Sequence, residues 1–392
     1  MTRRITRSRA AVAGGSAVVL GAAVAVSLTL ANGGSSASPA TAGTTHKAQL
    51  SSSSCTGPAG AAYIATAGYQ AFDAVDTNNC YEVQQYNVGD PPVPNTGTSD
   101  SNYSGTDEGI AMYGNTLYFA LTGDDEVGVV PSQSLNPKDY VDTPETDIKV
   151  GTDPTNLAVS PDGSQVWVAD TGPQTGEPSL GDISVISTAT DTVTATLPLP
   201  WTDPHAIAFS PSGSTAYVTT SAGVIAFSTA THRVSGLIPG LGDPQGVTVA
   251  PNGTVYVTNT EQNVVDVISA ATNRVTRTIA VGQLPWQMAL SPDAGTLYVA
   301  DGDSDAVSVV STATDKVTNT IAVPGDPVSV AVTPDGSRLW VGGLTSGNVS
   351  VIDTSDDAIV GSFAVGYGEY PNSGDGDEPT GIVMTTTLTP GH

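Results

Sequence analysis

One pattern recurs down the whole chain, and it constrains the fold more than any other feature. In its clearest copy, residues 243–259 read Asp-Pro-Gln-Gly-Val-Thr-Val-Ala-Pro-Asn-Gly-Thr-Val-Tyr-Val-Thr-Asn. A second alternating run follows at 264–268, then a Ser-Ala-Ala-Thr-Asn break, then a third run at 275–281. Alternating, β-branched runs separated by turn-formers read as short strands, four to a unit (a to d). Pro161-Asp162-Gly163, Pro251-Asn252-Gly253 and Pro334-Asp335-Gly336 turn the chain between a and b. Proline presets φ there and glycine accepts a positive φ. Ser-Thr-Ala-Thr-Asp, at 187–191 and 311–315, turns it between c and d.

One aromatic of strand b counts the units: Tyr63, Tyr118, Trp167, Tyr217, Tyr256, Tyr298 and Trp340, spaced 39 to 55 residues apart. Four-stranded units of that length stack radially as propeller blades. The aromatics read as blade packing rather than a binding stripe. The first copy, Ala61 to Ala65, lacks a preceding strand a, and Glu378 to Met384 looks like a lone strand a. The expected fold is therefore an all-β, seven-bladed β-propeller of four-stranded antiparallel blades. Its ring is closed by the C-terminal strand completing the N-terminal blade, which removes exposed edges.

Tyr256-Val257-Thr258-Asn259 is the literal YVTN signature, set in an Asp-Pro…Val-Ala-Val…Pro-Asp-Gly…Val-Ser-Val-Ile-Asp pattern. Over roughly residues 60–388 the chain resembles the YVTN-type propellers of bacterial exported and archaeal surface-layer proteins, and the wider lactonase-like group. That group hosts several activities, so the fold does not decide function.

The N-terminus reads as an export signal. Arg3, Arg4, Arg7 and Arg9 precede an apolar run from Ala10 to Ala31, and Ala40-Thr41-Ala42 fits a cleavage site. Residues 1–42 are then a signal peptide, or a retained N-terminal anchor. Residues 43–54 are a flexible Ser/Thr/Ala linker, 55–388 a single propeller and 389–392 a tail. Cys55 and Cys80 are the only cysteines. In an exported chain they read as one disulfide, pinning the incoming chain to the first blade.

Charge excludes one partner class. The chain has 12 Lys plus Arg against 38 Asp plus Glu, a formal net charge of −26. Removing the four leader arginines leaves 8 against 38, or −30. Phosphate binding is driven by Lys and Arg, so nucleic acid is excluded, including the single-stranded DNA that some propellers of the group bind. A membrane enters only through an uncleaved anchor. The protein reads as a monomer.

In a four-stranded blade the d→a and b→c connections share one face. Here that face carries the long pieces 89–107, 171–182 and 366–378, and variable loops on a rigid scaffold are the usual place for binding. The opposite face has short turns, except for an insertion at 131–146. The residue after each Asp-Pro should line the channel mouth: Glu108, Thr155, His205, Gln245, Trp286, Val328 and Thr380. An acid, an imidazole, an amide and an indole suit a pocket with an aromatic wall. Solvated rim residues are the competing reading.

The leading expectation is an exported, non-enzymatic binding or scaffold module, outside the cell or on its surface. Its ligand would be a small molecule, glycan or protein at the loop-rich face, with no cofactor. A second reading is a lactonase-like hydrolase or lyase at the channel mouth, with His205 as general base and Glu108 as its partner. A third is a calcium-stabilised surface-layer component. Asp301, Asp303 and Asp305 start like a calcium loop, but Ala306 replaces its turn glycine and Thr312 its bidentate glutamate. Asp375, Asp377 and Glu378 form a second acidic cluster on the same face.

Overall fold

A computed structural model of the chain describes residues 61–67, 71–76, 83–87, 109–131, 146–172, 181–199, 203–365 and 378–385. The expected leader, linker and tail lie outside these residues. So do Cys55, Cys80 and most of the long loops.

Six antiparallel sheets each use four successive strands. Ile110–Tyr113, Thr116–Leu121, Glu126–Pro131 and Thr146–Lys149 (β4–β7) form one. Pro154–Val159, Gln165–Asp170, Asp182–Ser187 and Thr192–Pro198 (β8–β11) form the next. Pro204–Phe209, Thr215–Thr220, Gly223–Ser228 and Arg233–Ile238 (β12–β15) follow. Then come Pro244–Val249, Thr254–Asn259, Val264–Ser269 and Arg274–Ala280 (β16–β19). Pro285–Leu290, Thr296–Asp301, Ala306–Ser311 and Lys316–Ala322 (β20–β23) make the fifth. Pro327–Val332, Arg338–Gly343, Asn348–Asp353 and Ala358–Ala364 (β24–β27) make the sixth. A further four-stranded sheet is composite. Glu378–Thr385 (β28) pairs antiparallel with Ala61–Ala67 (β1), followed by Ala71–Asp76 (β2) and Val83–Asn87 (β3).

First strands of successive sheets pack on one another, from β4 against β8 through to β24 against β28. Second strands are buried along nearly their whole length, because neighbouring sheets cover both faces. The seven counting aromatics are all buried, Trp167 completely. Its ring meets Phe209 and Phe227 of the next sheet edge-on, each at 5.8 Å between centroids. Interleaved cores of this kind, such as Trp340 with Phe363, Val349 and Ala62, weld sheet to sheet.

Outer strands are exposed edges, and they hold five of the six described Lys and Arg residues. Lys149, Arg233, Arg274, Arg277 and Lys316 lie on β7, β15, β19 and β23. Charged side chains on an edge discourage pairing with a foreign strand. The Pro-Asx-Gly turns form as the sequence predicts, with φ of 70° at Gly163, 84° at Gly253 and 75° at Gly336.

Candidate functional site

The residue preceding each strand-a proline fixes how the chain arrives at the lip. Asp153, Asp243 and Asp326 adopt left-handed φ of 52°, 47° and 53°. Aspartate tolerates that conformation better than most residues, which explains the Asp-Pro signature. Leu284 takes the same conformation, at 53°, without that aptitude.

A second left-handed residue, at the end of the b→c corner, clasps the next sheet. Asp125 Oδ1 accepts the Asp153 N–H at 3.0 Å, and Asn263 Oδ1 accepts that of Leu284 at 2.9 Å. Asp305 Oδ1 accepts from both Gly325 and Asp326, at 2.8 and 3.1 Å.

The first strands that carry a proline at their start, unlike β4, have a register irregularity just beyond it. It falls between Pro204 and Ile207, Pro244 and Val247, and Pro285 and Met288. The expected lip residues sit inside these irregularities, where backbone groups turn toward the neighbouring sheet. Thr219 Oγ1 donates to the Gln245 carbonyl at 2.7 Å and Thr258 Oγ1 to that of Trp286 at 2.8 Å. Ser329 Oγ donates to the Pro379 carbonyl at 2.9 Å. Gly246 needs its missing side chain here, since a Cβ would stand 2.6 Å from the Trp286 oxygen. Gln287 Nε2 reaches past the β24–β27 sheet to the Thr380 carbonyl at 3.3 Å. The carbonyls of the lip residues Gln245 and Trp286, and the side chains of Gln287 and Ser329 just after a lip position, thus link the sheets, a role the sequence reading missed.

Thr155, His205, Gln245 and Trp286 are partly exposed on successive first strands, whereas Val328 and Thr380 are buried. Glu108 lies outside the described residues. Trp286 is not free in the channel: its indole lies over Gly302, where a Cβ would meet Cδ1 and Nε1 at 3.2 Å. Gln245 Nε2 donates to Asp243 Oδ1 at 2.9 Å.

His205 stands out. Its Nε2 is buried and has no hydrogen-bond partner. Burial lowers the imidazole pKa, while the Asp243 and Asp203 carboxylates pull it back up. Asp203 is itself raised by burial. The neighbourhood is therefore a neutral imidazole between two acids. None of the six described Lys and Arg residues lies on a first strand.

The carboxylates of the expected calcium loop do not converge. Asp301 is fully buried and accepts from Ser308 Oγ at 2.5 Å. Burial raises its pKa to about 6. Asp303 is exposed, and Asp305 is engaged by the next sheet. No group of three or more His, Cys, Asp or Glu side chains suited to a metal ion occurs among the described residues. No helix among them is long and apolar enough to cross a membrane.

Four-stranded antiparallel sheets joined first strand to first strand define an all-β propeller. A family model described as a YNCE-like beta-propeller matches residues 244–371. A PE-PGRS family protein of Mycobacterium tuberculosis, PE_PGRS18, is 50% identical over 50 residues. Those residues are 13% of this chain and 11% of that protein, so the chain spans a small fraction of it. Among solved structures, a functionally unknown protein from Desulfotomaculum acetoxidans aligns with a TM-score of 0.64 and 15% identity, over 83% of this chain and 98% of its own. A putative 6-phosphogluconolactonase from Bacteroides fragilis gives 0.60 and 13%, over 84% and 99%. Kuenenia stuttgartiensis hydrazine synthase gives 0.59 and 20%, over 73% and 90%. The family match covers residues 244–371, and these neighbours, at 13–20% identity, share the propeller fold.

Proposed function

We propose that the chain is an exported binding module. In this reading the composite sheet is a seventh blade and β28 closes the ring. The ligand sits at the loop-rich lip, on the arc of His205, Gln245 and Trp286, and no cofactor is required. The observation that carries the reading is the His205 imidazole, whose buried Nε2 lacks a partner between two carboxylates. A buried polar atom without a partner costs free energy, and such groups gather where a ligand completes them. The acids select a neutral or cationic ligand with a hydrogen-bonding group to offer, such as a glycan. An anionic substrate like the phosphorylated lactone named for the Bacteroides neighbour would meet Asp203 and Asp243 with no described cation nearby.

The test is a panel of neutral, cationic and anionic glycans and lactones, probed with the purified protein and its His205→Ala variant. Binding confined to neutral or cationic members and lost in the variant supports the reading. Lactone turnover, or binding indifferent to His205, overturns it. Export is tested separately by N-terminal sequencing of the secreted protein, expected to begin at residue 43.

A further inference from the structure

Strands β9 and β10 end in a juxtaposition that neither packing nor binding explains. Asp170 and Asp182 are direct cross-strand partners in the antiparallel register. Like charges directly opposite each other destabilise a sheet, and burial makes this worse. Asp170 is 1% exposed. Oδ1 of Asp170 and Oδ1 of Asp182 are both buried, and neither receives a hydrogen bond from an N–H or hydroxyl. Both carboxyl groups press on one point. A Cβ at Gly151 would lie 2.6 Å from Asp182 Oδ1 and 2.7 Å from Asp170 Cγ.

The equivalent corners of other sheets show what is special here. Asp301 occupies the Asp170 position in β21, and its cross-strand partner is Ala306. Asn259 occupies it in β17, opposite Val264. Each of these corners presents at most one acid to its cross-strand partner. In the β8–β11 sheet the remaining groups around Asp170 are neutral. Ser184 N–H donates to Oδ2 at 3.1 Å, and the Gly151 N–H is shared with Ser184 Oγ at 3.2 Å. Asp182 is the one charged group acting on Asp170, and no described cation balances the two.

We propose that Asp170 and Asp182 share a single proton, an acid–carboxylate clasp that holds the β9–β10 corner closed on the segment leading into β8 and is lost to solvent at alkaline pH. The proton lies between the two Oδ1 atoms, so that one carboxyl donates and the other accepts. This gives both orphaned oxygens a partner without a metal ion. The electrostatics agree: burial first, then the hydrogen bond from Asp182, push Asp170 up to about 8. The same corner carries the lip. Thr171 N–H donates to the Asp153 carbonyl and Gly172 N–H to that of Thr152, two and three residues before Thr155. The clasp therefore makes the position of the Thr155 strand sensitive to pH. It stands whether or not the lip binds the ligand proposed above.

The experiment is infrared difference spectroscopy of the protein across pH 6 to 9, with melting temperatures alongside. A protonated-carboxyl band should persist at pH 7, where Asp301 has already ionised, and vanish as pH passes about 8. It should be missing in Asp170→Asn. Asp170 holds a proton that the unfolded chain has released, so stability falls with rising pH up to about 8 and then levels. In Asp182→Asn the amide donates in place of the proton. That variant should have a flatter slope and melt above the wild type at pH 9. No carboxyl band at pH 7 in the wild type, or the same band in Asp170→Asn, overturns the proposal. So does an Asp182→Asn slope equal to that of the wild type. If the variants fail to fold, the band in the wild type alone decides the matter.

Discussion

Thr258 Oγ1 lies 2.7 Å from the Gly246 nitrogen of its own sheet and 2.8 Å from the Trp286 carbonyl of the next. One hydroxyl thus accepts from one sheet and donates to its neighbour. Thr219 repeats the arrangement one sheet earlier, between the Ala206 N–H at 2.9 Å and the Gln245 carbonyl at 2.7 Å. Both threonines are fully buried. Replacing Thr258 by valine keeps the shape and leaves two buried backbone groups unpaired. The expected loss is about 1–3 kcal/mol in denaturant unfolding. Thr258→Ser should recover most of it. A valine variant as stable as the wild type would show that the hydroxyl bridge contributes nothing.

Asp305 serves the junction between two sheets. Its carboxylate accepts two N–H groups of the next sheet, which hold its pKa below the ordinary carboxylate range. Asp305→Ala should lower the melting temperature, and Asp305→Asn should do so less, since the amide oxygen still accepts. A chelator should shift neither the wild type nor the variants. A fall in wild-type melting temperature on chelation, absent in Asp305→Ala, would return the aspartates to the calcium reading.

The strands, the turns and the buried aromatics were legible because each follows from local rules. Alternation marks a strand, Pro-Asx-Gly marks a turn, and a Tyr or Trp inside a β-branched run marks a covered face. The lip was only partly legible. Spacing put Trp286 on a first strand, but alternation assigns faces only in regular pairing. The irregularity between Pro285 and Met288 breaks it, and the indole turns onto Gly302. Asp301 misled for another reason. A carboxylate that satisfies a buried glycine N–H and a serine looks, in sequence, like the first ligand of a cation loop. Its clue was Gly282, the glycine before the strand-a proline, which leaves room for that side chain.

Leu284 carries a strain that its neighbours avoid. Its φ of 53° is the one at which Asp153, Asp243 and Asp326 stand before their prolines. A left-handed conformation costs an ordinary L-residue about 1–2 kcal/mol, and Asn or Asp less. Its N–H is bonded to Asn263 and its carbonyl to the Gly302 N–H, so the backbone cannot relax alone. Leu284→Asn should therefore stabilise the protein, raising the melting temperature. A fall would mean that the packing of the leucine side chain outweighs the backbone strain.

Asp301 adds a pH dependence to that of the Asp170 corner, below about pH 6. Burial raises its pKa to about 6, against about 4 in the unfolded chain. A raised carboxyl pKa stabilises the fold fully below the unfolded value. That contribution fades as pH rises and is gone once pH passes the folded value. The melting temperature should accordingly decline between about pH 4 and pH 6 through this group. Asp301→Asn removes the titration, so its curve should be flatter over that interval. Parallel wild-type and variant curves from pH 4 to 6 would place the titrating group elsewhere.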